Sequence, residues 1–152
     1  MKILLRSTTI IDPSSKHHRK TLDVLIDNGT IATIGKKLNA NDVEEVIEGD
    51  DLHVSAGWID LYARFGDPGT EYKEDITSGL NAAASGGFTR VCISPATDPV
   101  IDTKSGIEYV LKKASGHAVT AMPIGATTKK LAGIELAEMY DMQVAGAAAT
   151  CF

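Results

Sequence analysis

Up to Ser55 the chain is written in short apolar runs that alternate with polar residues, and beyond it in compact apolar blocks separated by amphipathic stretches. The first pattern has the period of half-buried strands and the second that of strand followed by helix. Lys2 to Ile11 reads as two short β runs with a break near Arg6-Ser7. Leu22 to Ile26 and Thr30 to Ile34 flank Asp27-Asn28-Gly29, and an Asn-Gly pair between apolar runs is a strong hairpin signal. Val43 to Ile47 and Leu52-His53-Val54 are further candidate strands.

From Ser55 onward the expected order is strand, helix, strand. Trp58 to Tyr62 is apolar and short, as a buried parallel strand should be. Asp75 to Ser85 reads as a helix closed by Gly86-Gly87. Thr89 to Ser94 is the next strand. Thr103 to Ala114 is a helix with Ile107, Val110 and Leu111 on one face, capped by Asp102 or Thr103. Ala118 to Ile124 is a third strand and Ile134 to Ala145 a third helix, with Leu136, Met139, Met142 and Val144 as apolar members. Gly146 closes it, and Ala147 to Phe152 begins a fourth strand. Successive crossovers of this kind give an α/β fold, either a barrel or an open parallel sheet.

Charge narrows the partners. The formal net charge is −5, and no basic stripe of the kind that grips nucleic acid is present. The one basic cluster, Lys16-His17-His18-Arg19-Lys20, follows the turn sequence Asp12-Pro13-Ser14-Ser15 and reads as a solvated loop. No apolar run approaches the ~20 residues of a membrane span. The start of the chain lacks the long apolar region of a signal peptide. A cytoplasmic protein is expected, with Cys92 and Cys151 as buried free thiols. Gly86-Gly87 follows a helix and precedes a strand, the reverse of a phosphate-cradling loop. The usual nucleophile motifs are absent.

The segment Gly57-Trp58-Ile59-Asp60-Leu61-Tyr62-Ala63-Arg64-Phe65-Gly66-Asp67-Pro68-Gly69 carries the most chemistry. It resembles the first barrel strand of dihydroorotases in the amidohydrolase superfamily, which reads roughly G-x-I-D-x-H-x-H-x-R-x-P-G. Glu71-Tyr72-Lys73-Glu74-Asp75-Ile76-Thr77-Ser78-Gly79 and Ala82-Ala83-Ala84-Ser85-Gly86-Gly87-Phe88-Thr89 are similar to the stretch that follows. Ser94-Pro95-Ala96-Thr97 stands where the family has M-P-N-T. Pro123-Ile124-Gly125-Ala126 and Glu135-Leu136-Ala137-Glu138-Met139 match the third repeat unit, and Asp23 to Gly35 is similar to the N-terminal hairpin of many amidohydrolases. The resemblance implies a partial (β/α)8 TIM barrel over residues 55–152, comprising three βα units and the start of strand four. A small β-sandwich part over residues 1–54 precedes it.

The same resemblance implies a dihydroorotase-like protein of pyrimidine biosynthesis whose active site is degenerate. The family's two zinc histidines fall at Tyr62 and Arg64, its carboxylate-gripping arginine at Gly66, and its substrate-contacting asparagine at Ala96. Zinc takes imidazole nitrogen, thiolate or carboxylate. A phenol titrates near pH ~10, and a guanidinium offers donors only. Catalytic residues, metal ligands and a bound cofactor are therefore not expected in this chain, although zinc is the family's metal. Tyr62 and Arg64 either fill the barrel mouth or, for Arg64, place a fixed positive charge where the metal would sit.

Other residues divide between roles. Glu71, Lys73, Glu74 and Asp75 form a charged loop on the functional face of such barrels. They are either a site loop or partner contact, or a helix start whose acids complement the dipole. Asp60 is expected to hydrogen-bond within the barrel and Asp67 to cap its loop. A closed barrel needs about 250 residues, so a chain of 152 that stops in an apolar run is expected to be a fragment or one piece of a cleaved chain. Two functions fit. One is an inactive structural subunit, since family members lacking the zinc histidines hold aspartate transcarbamoylase in an active complex. The other is an active cyclic amidohydrolase, interconverting dihydroorotate and N-carbamoyl-aspartate, with altered ligands supplied by a missing C-terminal part. That part, or a second copy, is also the partner expected to cover exposed strand edges.

Overall fold

Asn28 and Gly29, at φ 49° and 77°, turn the chain between two paired strands. Both central residues of such a tight hairpin need positive φ, which is why Asn-Gly is selected there. The computed structural model describes all of Met1–Phe152, and the chain divides into two compact units, Met1–Ala56 and Gly57–Phe152.

The first unit contains β1 (Lys2–Ile11), β2 (Thr21–Asp27), β3 (Thr30–Gly35), β4 (Glu45–Ile47) and β5 (His53–Ser55). They form one mixed sheet in the order β3-β2-β1-β4, with β5 also paired to β1. The strand β1 runs antiparallel to β2, and parallel to β4 along its first half and to β5 along its second. The break expected at Arg6-Ser7 is a bulge inside one continuous strand. Ser7 takes φ 51°, and the buried Asp23 carboxylate accepts from the Ser7 and Leu38 N–H groups at 2.9 Å each. The bulge therefore leaves no orphaned amide at Ser7. Hydrogen bonds from these amides hold the Asp23 carboxyl below its ordinary range, against the upward push of burial. Residues 1–56 supply one sheet over a small core of Ile10, Leu22 and Val24.

The second unit runs β6 (Trp58–Ala63), α1 (Ile76–Ser85), β7 (Phe88–Ile93), α2 (Lys104–Lys113), β8 (Thr120–Ala126), α3 (Met139–Ala145) and β9 (Ala149–Cys151). The strands form a parallel sheet in sequential order, β6-β7-β8-β9. Its core joins Phe65, Ile76, Leu80, Val91, Ile93, Ile107, Val110 and Met142. Asp75 opens α1 through a capping box with Ser78, worth about 1 kcal/mol. Of the two cap candidates for α2, Thr103 is the one used, accepting from the Gly106 N–H.

Three expectations change. Trp58 to Tyr62 forms a strand, but it lies at the edge of the sheet and is largely exposed, with Leu61 at 75%. The cysteines are only half-buried, because Cys92 points to the sheet face opposite Val91 and Ile93, and Cys151 sits on the other edge strand. The third helix begins at Met139, not Ile134. Before it the backbone is held extended by a bridge between Thr128 and Leu136 and by the Ala137 N–H donating to the Thr127 carbonyl. Ile134 and Leu136 consequently face solvent.

Candidate functional site

The C-terminal ends of β6 and β7 bring together three of the four positions that the sequence resemblance singles out. Arg64, Gly66 and Ala96 line one open cleft of about 580 Å³ with Phe65, Thr70, Lys73 and Glu74. Ligands of parallel α/β sheets bind at this end of the strands. Sequence reasoning named Arg64, Gly66, Ala96, Lys73 and Glu74, and the fold gathers all five. Tyr62, Asp60, Asp67 and Glu71 lie outside the cleft lining.

Tyr62 is engaged otherwise. Its N–H donates to the Asp60 carboxylate at 2.9 Å, and its phenolic oxygen accepts from the Ser94 hydroxyl at 2.9 Å. The same Ser94 oxygen accepts from the Ala96 N–H at 3.2 Å. A hydrogen-bonded chain thus links the ends of β6 and β7.

Gly66 is closed in by its own loop. Its N–H donates to the Glu74 carbonyl at 3.0 Å, and its carbonyl accepts from the Thr70 N–H and hydroxyl. A Cβ on Gly66 would stand 2.5 Å from the Thr70 carbonyl oxygen and 2.5 Å from its hydroxyl. The backbone therefore has no room for a long side chain in this arrangement. Glu71 accepts from the Gly69 N–H at 2.9 Å, a contact within the loop.

Asp67, expected to cap its loop, is fully buried. Its carboxylate accepts from the Tyr109 hydroxyl at 2.6 Å, the Lys113 ammonium at 2.7 Å and the Ile76 N–H at 3.3 Å. Burial alone would push this carboxyl up. The Lys113 and Tyr109 hydrogen bonds outweigh it and hold the group below the ordinary carboxylate range. Lys113 is raised in turn, chiefly by its bond to Asp67. This triad clamps the loop after β6 to the start of α1 and the side of α2. Sequence reasoning missed Tyr109 and Lys113. Their i,i+4 spacing puts them on one helix face, but nothing local names their partner.

A family model described as dihydro-orotase-like matches residues 52–151. The chain belongs to the dihydroorotase-like family. It is 41% identical to the dihydroorotase of Trichlorobacter lovleyi over 150 residues, and 45% identical to that of Syntrophotalea carbinolica over 151. Each match covers 98% of this chain and 35% of the relative, so the chain spans about a third of the length of the curated relatives it matches. An L-hydantoinase (dihydropyrimidinase) from Arthrobacter aurescens superposes with a TM-score of 0.74 at 19% identity, covering 97% of this chain and 32% of that one. A crystal structure of a dihydroorotase gives 0.66 at 14%, covering 98% and 41%. These likenesses show the fold, that of part of a TIM-barrel amidohydrolase.

Zinc is present in one such neighbour, the atrazine chlorohydrolase from A. aurescens TC1, at a TM-score of 0.63 and 18% identity over 86% of this chain and 37% of that one. The residues of this chain do not fit that metal at the family positions. Tyr62 offers a phenol already bonded to Ser94, and Arg64 a permanent cation that repels a second one. No three His, Cys, Asp or Glu side chains converge anywhere in the chain.

Proposed function

We propose that this chain is the N-terminal part of a catalytically inactive dihydroorotase-like protein, a structural subunit in pyrimidine biosynthesis with aspartate transcarbamoylase as its partner. In this reading residues 55–152 are the first three βα units and the start of strand four of a (β/α)8 barrel. Residues 1–54 are one layer of a β-sandwich, and the protein is cytoplasmic. The observation that carries it is the state of the ligand positions. Tyr62 is tied to Ser94, Arg64 is a cation, Gly66 is enclosed by Thr70 and Glu74, and Ala96 has no polar side chain.

Arg64 then acts as a fixed charge in the place of the metal, pairing with carboxylates from the rest of the barrel. Asp60 orients Tyr62, and Asp67 anchors the loop that carries Glu71, Lys73 and Glu74. The exposed Trp58, Ile59 and Leu61 on the edge strand β6 support association with a C-terminal part or a second copy.

The competing reading is an active cyclic amidohydrolase with ligands from elsewhere, favoured by the 41–45% identity to chains named dihydroorotase. Two assays on the gene product from its native source separate them. The structural reading expects no dihydroorotate hydrolysis and co-purification with aspartate transcarbamoylase activity. Measurable turnover would overturn it. An Arg64→Ala variant that loses no stability would remove the role given to Arg64.

A further inference from the structure

We infer that the cavity in the first unit between β1, β2 and the segment after β3 binds a phosphate group. Three cations, Arg6, Lys36 and Lys37, line it against one carboxylate, Asp23. The chain as a whole carries a net charge of −5, so this hollow gathers charge of the opposite sign. Neither lysine takes part in any ion pair of the chain. Arg6 faces only Glu48, at 3.6 Å, and that carboxylate is 68% exposed. Solvent screens such a contact, and an incoming anion can displace it.

Asp23 does not cancel the three cations. One of its oxygens accepts the Ser7 N–H and the other the Leu38 N–H, each at 2.9 Å. The carboxylate thus fixes the backbone beside Arg6 on one side and beside Lys37 on the other, and the lining keeps a surplus of positive charge. A volume of about 220 Å³ lies below the ~300–1,000 Å³ of sites that enclose a whole small molecule. It suits a single charged group whose remainder stays outside. A guanidinium fork takes two oxygens of a phosphate, and ammonium groups act as point charges for the others. A phosphate carries close to two negative charges at neutral pH, so it gains more here than a carboxylate does.

The test is an NMR titration of the full-length gene product at low ionic strength, following the Ser7 and Lys37 amide resonances. Inorganic phosphate and glycerol 3-phosphate are the probes. Saturation at about millimolar concentration is expected, with acetate about tenfold weaker. Joint substitution of Lys36→Gln and Lys37→Gln should weaken binding about tenfold, and Glu48→Gln, which frees Arg6, should tighten it about twofold. All three side chains are exposed, so both variants keep the fold. Tighter binding of glycerol 3-phosphate would assign the site to a phosphomonoester, and equal binding to free phosphate. Absence of saturation, binding unchanged in the double lysine variant, or equal binding of acetate would overturn the inference. Those failures leave the structural-subunit reading untouched, which zinc content and dihydroorotate turnover decide separately.

Discussion

The Ser94 hydroxyl donates to the phenolic oxygen of Tyr62 across 2.9 Å, joining the end of β7 to the end of β6. In the proposed reading Tyr62 stands where the family carries a zinc histidine; its bond to Ser94 joins two strands. A Tyr62→Phe variant is expected to lose about 1 kcal/mol, the usual worth of one such bond. Denaturant unfolding measures it. A variant as stable as the parent would reduce Tyr62 to filler.

Asp67 and Lys113 form a salt bridge at 2.7 Å. Asp67 is fully buried and Lys113 is 41% exposed. Solvent screens the lysine, so Asp67→Asn is expected to cost about 2 kcal/mol, less than the ~3–5 of breaking a wholly buried pair. Lys113→Met should cost less than Asp67→Asn, because Tyr109 and the Ile76 N–H still hold the carboxylate. The reverse order would contradict the clamp.

The same pair sets a pH window. The folded Asp67 carboxyl lies below its unfolded value, so its contribution is present above about pH 4 and fades as pH falls through the folded value. Folded Lys113 lies above its unfolded value, so its contribution is full below about pH 10 and fades as pH rises through the folded value. Stability measured against pH should fall at both ends. Asp67→Asn and Lys113→Met should each flatten the parts of both limbs due to this pair, since each group's shift depends on the other.

Gly66 tests the collapsed loop. Gly66→Ala puts a methyl 2.5 Å from the Thr70 carbonyl oxygen, which is backbone and cannot swing away. A loss of about 1–3 kcal/mol is expected, seen as a lower melting temperature. Gly66→Arg should lose at least as much and gain no activity. A neutral Gly66→Ala would mean that the loop opens freely.

Local chemistry made much of this fold legible. Asn28-Gly29 announced its hairpin, Gly86-Gly87 the end of α1, and Asp102-Thr103 the start of α2, without deciding which of the two caps it. The cleft was legible in part, since Arg64, Gly66 and Ala96 were singled out by motif, and Lys73 and Glu74 as members of a charged loop. What stayed hidden depends on distant partners. Asp67 meets Tyr109 and Lys113 across 42 and 46 residues of sequence, and no local pattern encodes that meeting. Ile134 and Leu136 fitted a helical period, yet hydrogen bonds to Thr127 and Thr128 across the loop keep that stretch extended. Trp58 to Leu61 read as buried because they are apolar, and their exposure follows from a place at the sheet edge that composition does not reveal.

Zinc stoichiometry is the most direct test of the central claim. The gene product from its native source, dialysed against micromolar zinc and freed of loosely held metal, is analysed by atomic emission. If Tyr62 and Arg64 stand at the family's ligand positions, as proposed, zinc far below one per chain is expected, about 0.1 or less. One or more tightly held zinc per chain would mean that ligands outside these positions build a metal site, and would contradict the account of an inactive structural subunit.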